Sequence, residues 1–405
     1  MTSQSNPLMS ITPRPQLQFE RGEGAWLYDA AGRAWLDWLQ GWAVNSLGHA
    51  PKLVADTLYQ QACTLITPSP AFNNTPATQL AQWLVDHSCM DQVFLANTGA
   101  EANEGAIKLA RKWGRLHKDG AFEIITFTSA FHGRTIAAMS ASGKPGWDVY
   151  FPPQVPGFPK ATLNDIESVR RLIGPHTVGI MLEPIQGEGG VNAASRAFLQ
   201  ALRALCDEHQ LLLIFDEVQT GCGRTGPLFA YQASGIEPDI MTLGKGLGAG
   251  VPISALLAKA ACSVFEHGDQ GGTFCGNPLT AAVGLAVMQH VAQPAFLANV
   301  VARGAQLQSG LIELSARFGL GEVRGAGLLW AIELGDERAE AVMRAARDNG
   351  LLINNPRPHC LRIMPALNTT AAEIETGLAL LGKTLAQFYA PSAQKHRTDM
   401  LAAYK

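Results

Sequence analysis

The run LLLIFDE (Leu211–Glu217) decides the fold: a stretch of apolar residues without alternation that ends abruptly in two acids. A strand that buries only one face alternates apolar and polar residues, whereas one apolar throughout is covered on both faces. Three other runs share the form, EIITFT (Glu123–Thr128), TVGIMLEP (Thr177–Pro184) and DIMTLGKG (Asp239–Gly246), each ending in polar residues or glycine. Between TVGIMLEP and LLLIFDE, residues Phe198, Leu199, Leu202, Leu205 and Cys206 recur at the spacing of one helical face. Doubly buried strands alternating with helices predict an α/β fold with a mostly parallel sheet. Ligands of such sheets sit beyond the carboxyl ends of the strands, where Glu183, Asp216 and Lys245 fall.

Outward from this centre the pattern changes. GAWLYDAAGRAWLDW near the N-terminus reads as short strands, with a hairpin turn at Asp29–Gly32. Beyond about residue 295 helices and short strands resume, and Thr370 with Glu373 forms a capping box ahead of Ile374, Leu378, Leu381 and Leu385. With 405 residues the chain is long enough for a large domain and a smaller one. The expected division is residues 1–60 and 296–405 as a small α+β domain built from both termini, around a large domain at 61–295.

A formal charge of −3 shows no basic excess, which argues against nucleic acid and anionic membranes as partners. The apolar runs are too short to span a bilayer, and MTSQSNPLMSITPRPQ lacks the basic start and apolar core of a secretory signal. Seven cysteines without CxxC spacing fit a reducing, cytoplasmic setting better than a disulfide framework. The ten histidines show no metal-ligand spacing; His132 is expected to be structural support beside Phe131, and Cys222 and Cys275 to be packing residues.

Three segments carry chemistry. NTGAEANEGAIKLARK (Asn97–Lys112) is a glycine turn entering a helix, with Thr98 and Glu101 spaced as a capping box. Such a helix start is an anion seat, to which the Thr98 hydroxyl would add a donor. Asp216 is a carboxylate at the end of a buried strand and needs a cationic partner, since an unpaired buried charge is costly. Lys245 follows the strand in DIMTLGKGLG, where confinement away from water would lower its pKa and suit a nucleophilic amine. The hydrophobic run before Asp216 also resembles the magnesium strand of a P-loop ATPase, and GLALLGKT (Gly377–Thr384) matches the letters of a phosphate loop. Its leucines place it inside an amphipathic helix with no strand before it, so the ATPase reading is rejected.

Together NTGAEAN, FHGRT, EPIQGEGGV, LLLIFDEVQTGCGRTG, PDIMTLGKGLG and GGTFCGNP, in this order, closely resemble the class-III (ω-amino) aminotransferases of the fold-type I pyridoxal-phosphate superfamily. The resemblance covers nearly the whole chain. It implies that Lys245 carries pyridoxal 5′-phosphate as a Schiff base and that Asp216 faces its pyridine nitrogen. It likewise implies Gln219 near the cofactor's 3′ oxygen, Thr98, Gly99 and Ala100 in the phosphate turn, and Phe131 stacked on the ring. Thr273 would reach the phosphate held by a neighbouring subunit, so a homodimer with shared sites is expected.

Arg134 in FHGRT and Arg362 in LRIMPAL match carboxylate-binding arginines of the acetylornithine-type members, and Glu188 in QGEGG matches the residue that masks Arg362. The implied reaction moves the terminal amine of N2-acetylornithine to 2-oxoglutarate in a ping-pong scheme. Where the family usually reads GSTFGGNP or GTTYGGNP, this chain reads GGTFCGNP. Gly272 therefore lacks a hydroxyl expected near the substrate, which keeps succinylornithine, ornithine and 4-aminobutyrate open as donors. A dialkylglycine-decarboxylase-like activity uses the same lysine and differs by releasing carbon dioxide.

Overall fold

The computed structural model describes residues 7–390 of the chain. Its strands are, in order, β1 (Arg21–Glu23), β2 (Trp26–Tyr28), β3 (Ala34–Asp37), β4 (Gln92–Ala96), β5 (Glu123–Phe127), β6 (Lys160–Ala161), β7 (Thr177–Leu182), β8 (Ile185–Gln186) and β9 (Asn192–Ala193). They continue with β10 (Leu212–Asp216), β11 (Ile240–Leu243), β12 (Ser254–Ala258), β13 (Val323–Ala326), β14 (Leu329–Glu333), β15 (Leu351–Leu352), β16 (Asn354–Arg357) and β17 (Cys360–Ile363).

The central sheet has seven strands in the order β4-β12-β11-β10-β7-β5-β6. Every residue of β7, β10, β11 and β12 is buried, as uninterrupted apolar runs require when helices cover both faces. Neighbours are parallel except around β12, which runs antiparallel to both β11 and β4. Strands β4 and β12 do not stand out in the sequence: SALLA is short and rich in alanine, a residue depleted in strands.

The helix Arg196–His209 shows how locally the covering layer is encoded. The Ser195 hydroxyl accepts from the Phe198 N–H at 3.2 Å to start it, and Gln210 ends it in a left-handed conformation (φ 51°). Phe198, Leu199, Leu202, Leu205 and Cys206 are buried along one face, and each large side chain contributes roughly 1.5–3 kcal/mol.

Two smaller four-stranded sheets flank this unit. One joins β1, β2 and β3 to β15, whose Leu351 pairs in parallel with Leu36, so residues far apart in the chain share a sheet. The other is antiparallel, in the order β13-β14-β17-β16, and carries Arg362 on β17. GLALLGKT lies within the helix Ala371–Leu385, which begins at the Thr370–Glu373 capping box. Among the described residues no single helix is long and apolar enough to cross a membrane.

Candidate active site

The turns after β4, β10 and β11 meet at one edge of the sheet. Gly99 is at their junction, where an added Cβ would lie 2.7 Å from Val218 Cγ1, so a larger residue would push the two turns apart. Gly244 packs against the same valine, at 3.2 Å from a built Cβ.

The helix Gly99–His117 opens with the full capping box: Thr98 Oγ1 accepts from the Glu101 N–H at 3.2 Å, and Glu101 Oε2 accepts from the N–H groups of Asn97 and Thr98. The Thr98 hydroxyl also donates to Glu101 Oε2 at 3.2 Å, so its proton is engaged within the box rather than offered to an anion. The N–H groups of Gly99 and Ala100 meet no acceptor among the described residues. They point the positive end of the helix into the turn.

Asp216, the last residue of β10, is buried, and three donors meet its carboxylate. Oδ2 accepts from Asn103 Nδ2 and from His132 Nδ1, both at 2.8 Å, and Oδ1 accepts from the Val218 N–H at 3.0 Å. An ionised carboxylate only accepts, so Nδ1 of His132 carries the proton. Sequence reasoning made His132 a support beside Phe131. The structure corrects this: its buried ring is a partner of Asp216, a contact across 84 residues that no local pattern announces.

Lys245 stands just past β11 with φ 41°, a left-handed conformation uncommon for a residue with a side chain and concentrated at functional sites. Burial lowers its amine pKa; the negative charge of Glu188 opposes that shift and the positive charge of Arg362 adds to it. Glu183, next to the end of β7, was placed at this edge by the sequence without a role. Its Oε1 accepts from the Phe131 N–H at 2.9 Å and its Oε2 from the Gly187 N–H at 3.2 Å, tying together two loops that border the site. Burial, reinforced by Asp216, pushes the Glu183 carboxyl up to about 8. Phe131 itself is half-buried, its ring edge-to-face with Trp147 at 5.8 Å between centroids. Glu217 points elsewhere, accepting from the N–H groups of Ala230 and Tyr231.

Arg362 is completely buried, and each of its nitrogens has a partner. Nη2 meets Glu188 Oε1 at 2.6 Å, Nη1 meets Gln219 Oε1 at 3.3 Å, and Nε meets Asn354 Oδ1 at 3.1 Å. Burial alone would raise the Glu188 carboxyl, but Arg362 and then Lys245 outweigh it and hold it below its ordinary value. Gly187 leaves the room this cluster needs, since a Cβ there would overlap Gln219 Oε1.

The remaining sequence candidates make no hydrogen bond or ion pair with this cluster among the described residues. Arg134 is exposed and forms no ion pair with a described residue. Thr273 is exposed on the loop before the helix Pro278–Val291. A Cβ on Gly272 would lie 2.7 Å from Cys275 Sγ, so both departures of GGTFCGNP from the family pattern share one cause: the cysteine fills the space of the missing side chain.

Residues 10–385 match the model of the family described as aminotransferase class-III. The chain is 60% identical to the acetylornithine aminotransferase of Ralstonia nicotianae, covering 92% of this chain and 96% of that protein. It is 57% identical to acetylornithine aminotransferase 2 of Bordetella bronchiseptica, over 94% and 97%. Among solved structures, the ornithine aminotransferase of Toxoplasma gondii superposes with a TM-score of 0.89 at 33% identity, over 94% and 93% of the two chains. The N-acetylornithine aminotransferase of Stenotrophomonas maltophilia does so with a TM-score of 0.81 at 38% identity, over 93% and 97%. A buried acid, a buried amine and an open helix start at one sheet edge thus recur within a chain that matches one family almost from end to end, and the protein belongs to the class-III aminotransferases.

Proposed function

We propose that the chain transfers the terminal amine of N2-acetylornithine to 2-oxoglutarate, with Lys245 and Asp216 as its catalytic residues. Class-III aminotransferases are pyridoxal-phosphate enzymes, and the edge described above fits that cofactor. Asp216 keeps one lone pair of Oδ1 open for a cationic ring nitrogen, while Gly99 and Ala100 offer two N–H groups to a phosphate. Phe131 offers a ring face, and Lys245 an amine that can bond to an aldehyde. When bound, the cofactor supplies an electron sink for the charge left as a carbon–hydrogen bond of the substrate breaks.

The chain's own residues do the rest. A Lys245 amine with a lowered pKa is available in its neutral form and would serve as the base that takes the proton from the substrate carbon and gives it back. Asp216 would hold the ring nitrogen's charge, and Gln219 would serve the cofactor's 3′ oxygen. Arg134, exposed and without an acid of its own, receives the far carboxylate of either substrate. Arg362 receives the carboxylate beside the keto group of 2-oxoglutarate, and Glu188 occupies that guanidinium while the acetylornithine end, which brings no carboxylate there, is bound.

The observation that carries this reading is the 2.6 Å pair between Glu188 and a fully buried Arg362. An arginine paired by a removable acid suits two substrates, of which one brings an anion to that place. Arg362→Ala is the test: single-turnover traces should show the 2-oxoglutarate half-reaction slowed at least about tenfold and the N-acetylornithine half-reaction spared. Equal losses in both would make Arg362 structural and remove the argument for an acetylornithine-type donor.

A homodimer completes the proposal, with Thr273 serving the phosphate turn of the neighbouring subunit. Its loop lies against the segment around Thr67, through Asn277 to Thr67 and Asn74 to Gly276, and the two carry the exposed apolar residues Ile66, Phe72 and Phe274. The division into residues 1–60 with 296–405 and a large domain at 61–295 belongs to the same proposal. It is supported by the shared sheet of β3 and β15.

A further inference from the structure

Asn103 lies on the inner face of the helix Gly99–His117, fully buried, with every polar atom of its amide engaged. Its Nδ2 donates one hydrogen to Asp216 Oδ2 at 2.8 Å and the other to the carbonyl of His132 at 2.7 Å. Its Oδ1 accepts from Thr242 Oγ1 on β11 at 2.7 Å. The Asp216 carboxylate and the His132 carbonyl only accept, and so fix which end of the amide faces the acid, while the Thr242 hydroxyl anchors the oxygen end. Reversed, Asn103 would aim an oxygen at two acceptors, the Asp216 carboxylate and the His132 carbonyl, and both bonds would be lost.

With Asn103 and His132 both donating to Oδ2, the two lone pairs of that oxygen are filled, and the Val218 N–H occupies one on Oδ1. One acceptor position remains, on Oδ1. We infer that Asn103, anchored by Thr242, is a positioning residue that fixes the rotation of the Asp216 carboxylate and leaves Oδ1 alone to receive the cofactor's ring nitrogen. The inference rests on Asp216 facing that nitrogen, as proposed above. Without one of these donors the carboxylate could turn away from the ring nitrogen, whose positive charge would be held less firmly, and the nitrogen linking Lys245 to the cofactor would then keep its own proton to higher pH.

The test is a spectrophotometric pH titration of the visible band of the holoenzyme, in which linkage protonation is read without turnover. Asn103→Ala should raise that titration by about one pH unit, with kcat reduced about tenfold or more and KM for the amino donor within about twofold. Thr242→Val, nearly isosteric, leaves the amide present but removes the anchor on its oxygen, and should shift the band in the same direction by less. It also keeps the test available if Asn103→Ala does not fold. Borohydride fixation followed by peptide mapping separates the two levels. A label on a lysine other than Lys245 overturns the reading of the site as a whole. A label on Lys245 with an unmoved titration in the variants that fold leaves that reading intact and reduces Asn103 to a packing residue.

Discussion

Removing Glu188 would leave the Arg362 guanidinium buried with no acid at hydrogen-bond distance among the described residues. Breaking a buried pair by deleting one partner costs about 3–5 kcal/mol, because the remaining charge is uncompensated. Glu188→Ala should therefore lower the melting temperature, and a dicarboxylate such as glutarate should recover part of the loss by binding in the vacated place. In single turnover the same variant should use glutamate as a relatively better donor, because no acid competes for Arg362. A second residue-scale expectation concerns Glu183, whose carboxyl is pushed from 4.5 up to about 8, first by burial and then by Asp216. Between those values the folded protein holds a proton that the unfolded chain has released. This contribution to stability is full below about 4.5 and is lost as the pH rises through about 8. Chemical denaturation of the apoprotein at several pH values should show stability falling across that window, with a flatter profile for Glu183→Gln. An unchanged profile would mean that Glu183 is ionised throughout.

At the level of elements, the loop that reads GGTFCGNP offers a test of coupling. Gly272→Ser alone drives its Cβ into Cys275 Sγ, whereas Gly272→Ser with Cys275→Gly gives the serine its room. Both positions are half-buried and Sγ can turn aside, so the single variant should be destabilised by less than the about 1–3 kcal/mol of core overpacking, and the double variant should recover most of the loss. Additive effects would show that the two positions are independent. The same scale shows what the sequence made legible. Strand ends were readable because an apolar run breaking into Asp216, or into the glycines around Lys245, leaves a discontinuity in the sequence itself. The two capping boxes were readable because their partners are three residues apart. The second partner of each site residue was not. Asn103 reaches Asp216 across 113 residues, and β12 enters between β4 and β11 as a small, alanine-rich strand. Such contacts depend on how elements stack, and no periodicity within one element records them.

For the whole molecule, the proposed sharing of sites between subunits can be tested by mixing. Lys245→Ala disables the site on its own subunit, while Thr273→Asp would place a negative charge against the partner's phosphate turn. Each homodimer should be inactive. A heterodimer of the two would hold one site with both defects and one with neither, and mixed subunits should regain up to half of the activity per dimer. If no activity returns although heterodimers are isolated, Thr273 serves its own subunit. The central sheet adds a consequence of a different kind. Because β12 runs antiparallel between β4 and β11, those two strands keep a common direction and end at the same edge. Asp216 on β10 is one strand from the Lys245 turn after β11, and the Thr98 turn after β4 is two strands to the other side. The turns leaving that edge then converge, Gly99 packing on Val218 and beside Gly244. The sheet lattice, at about 4.8 Å per strand, and these glycine contacts together set the intervals between acid, amine and anion seat. Conservative repacking of the helices on either face can then change how often the molecule is folded without altering those intervals, so thermal tolerance and turnover per folded subunit can vary separately.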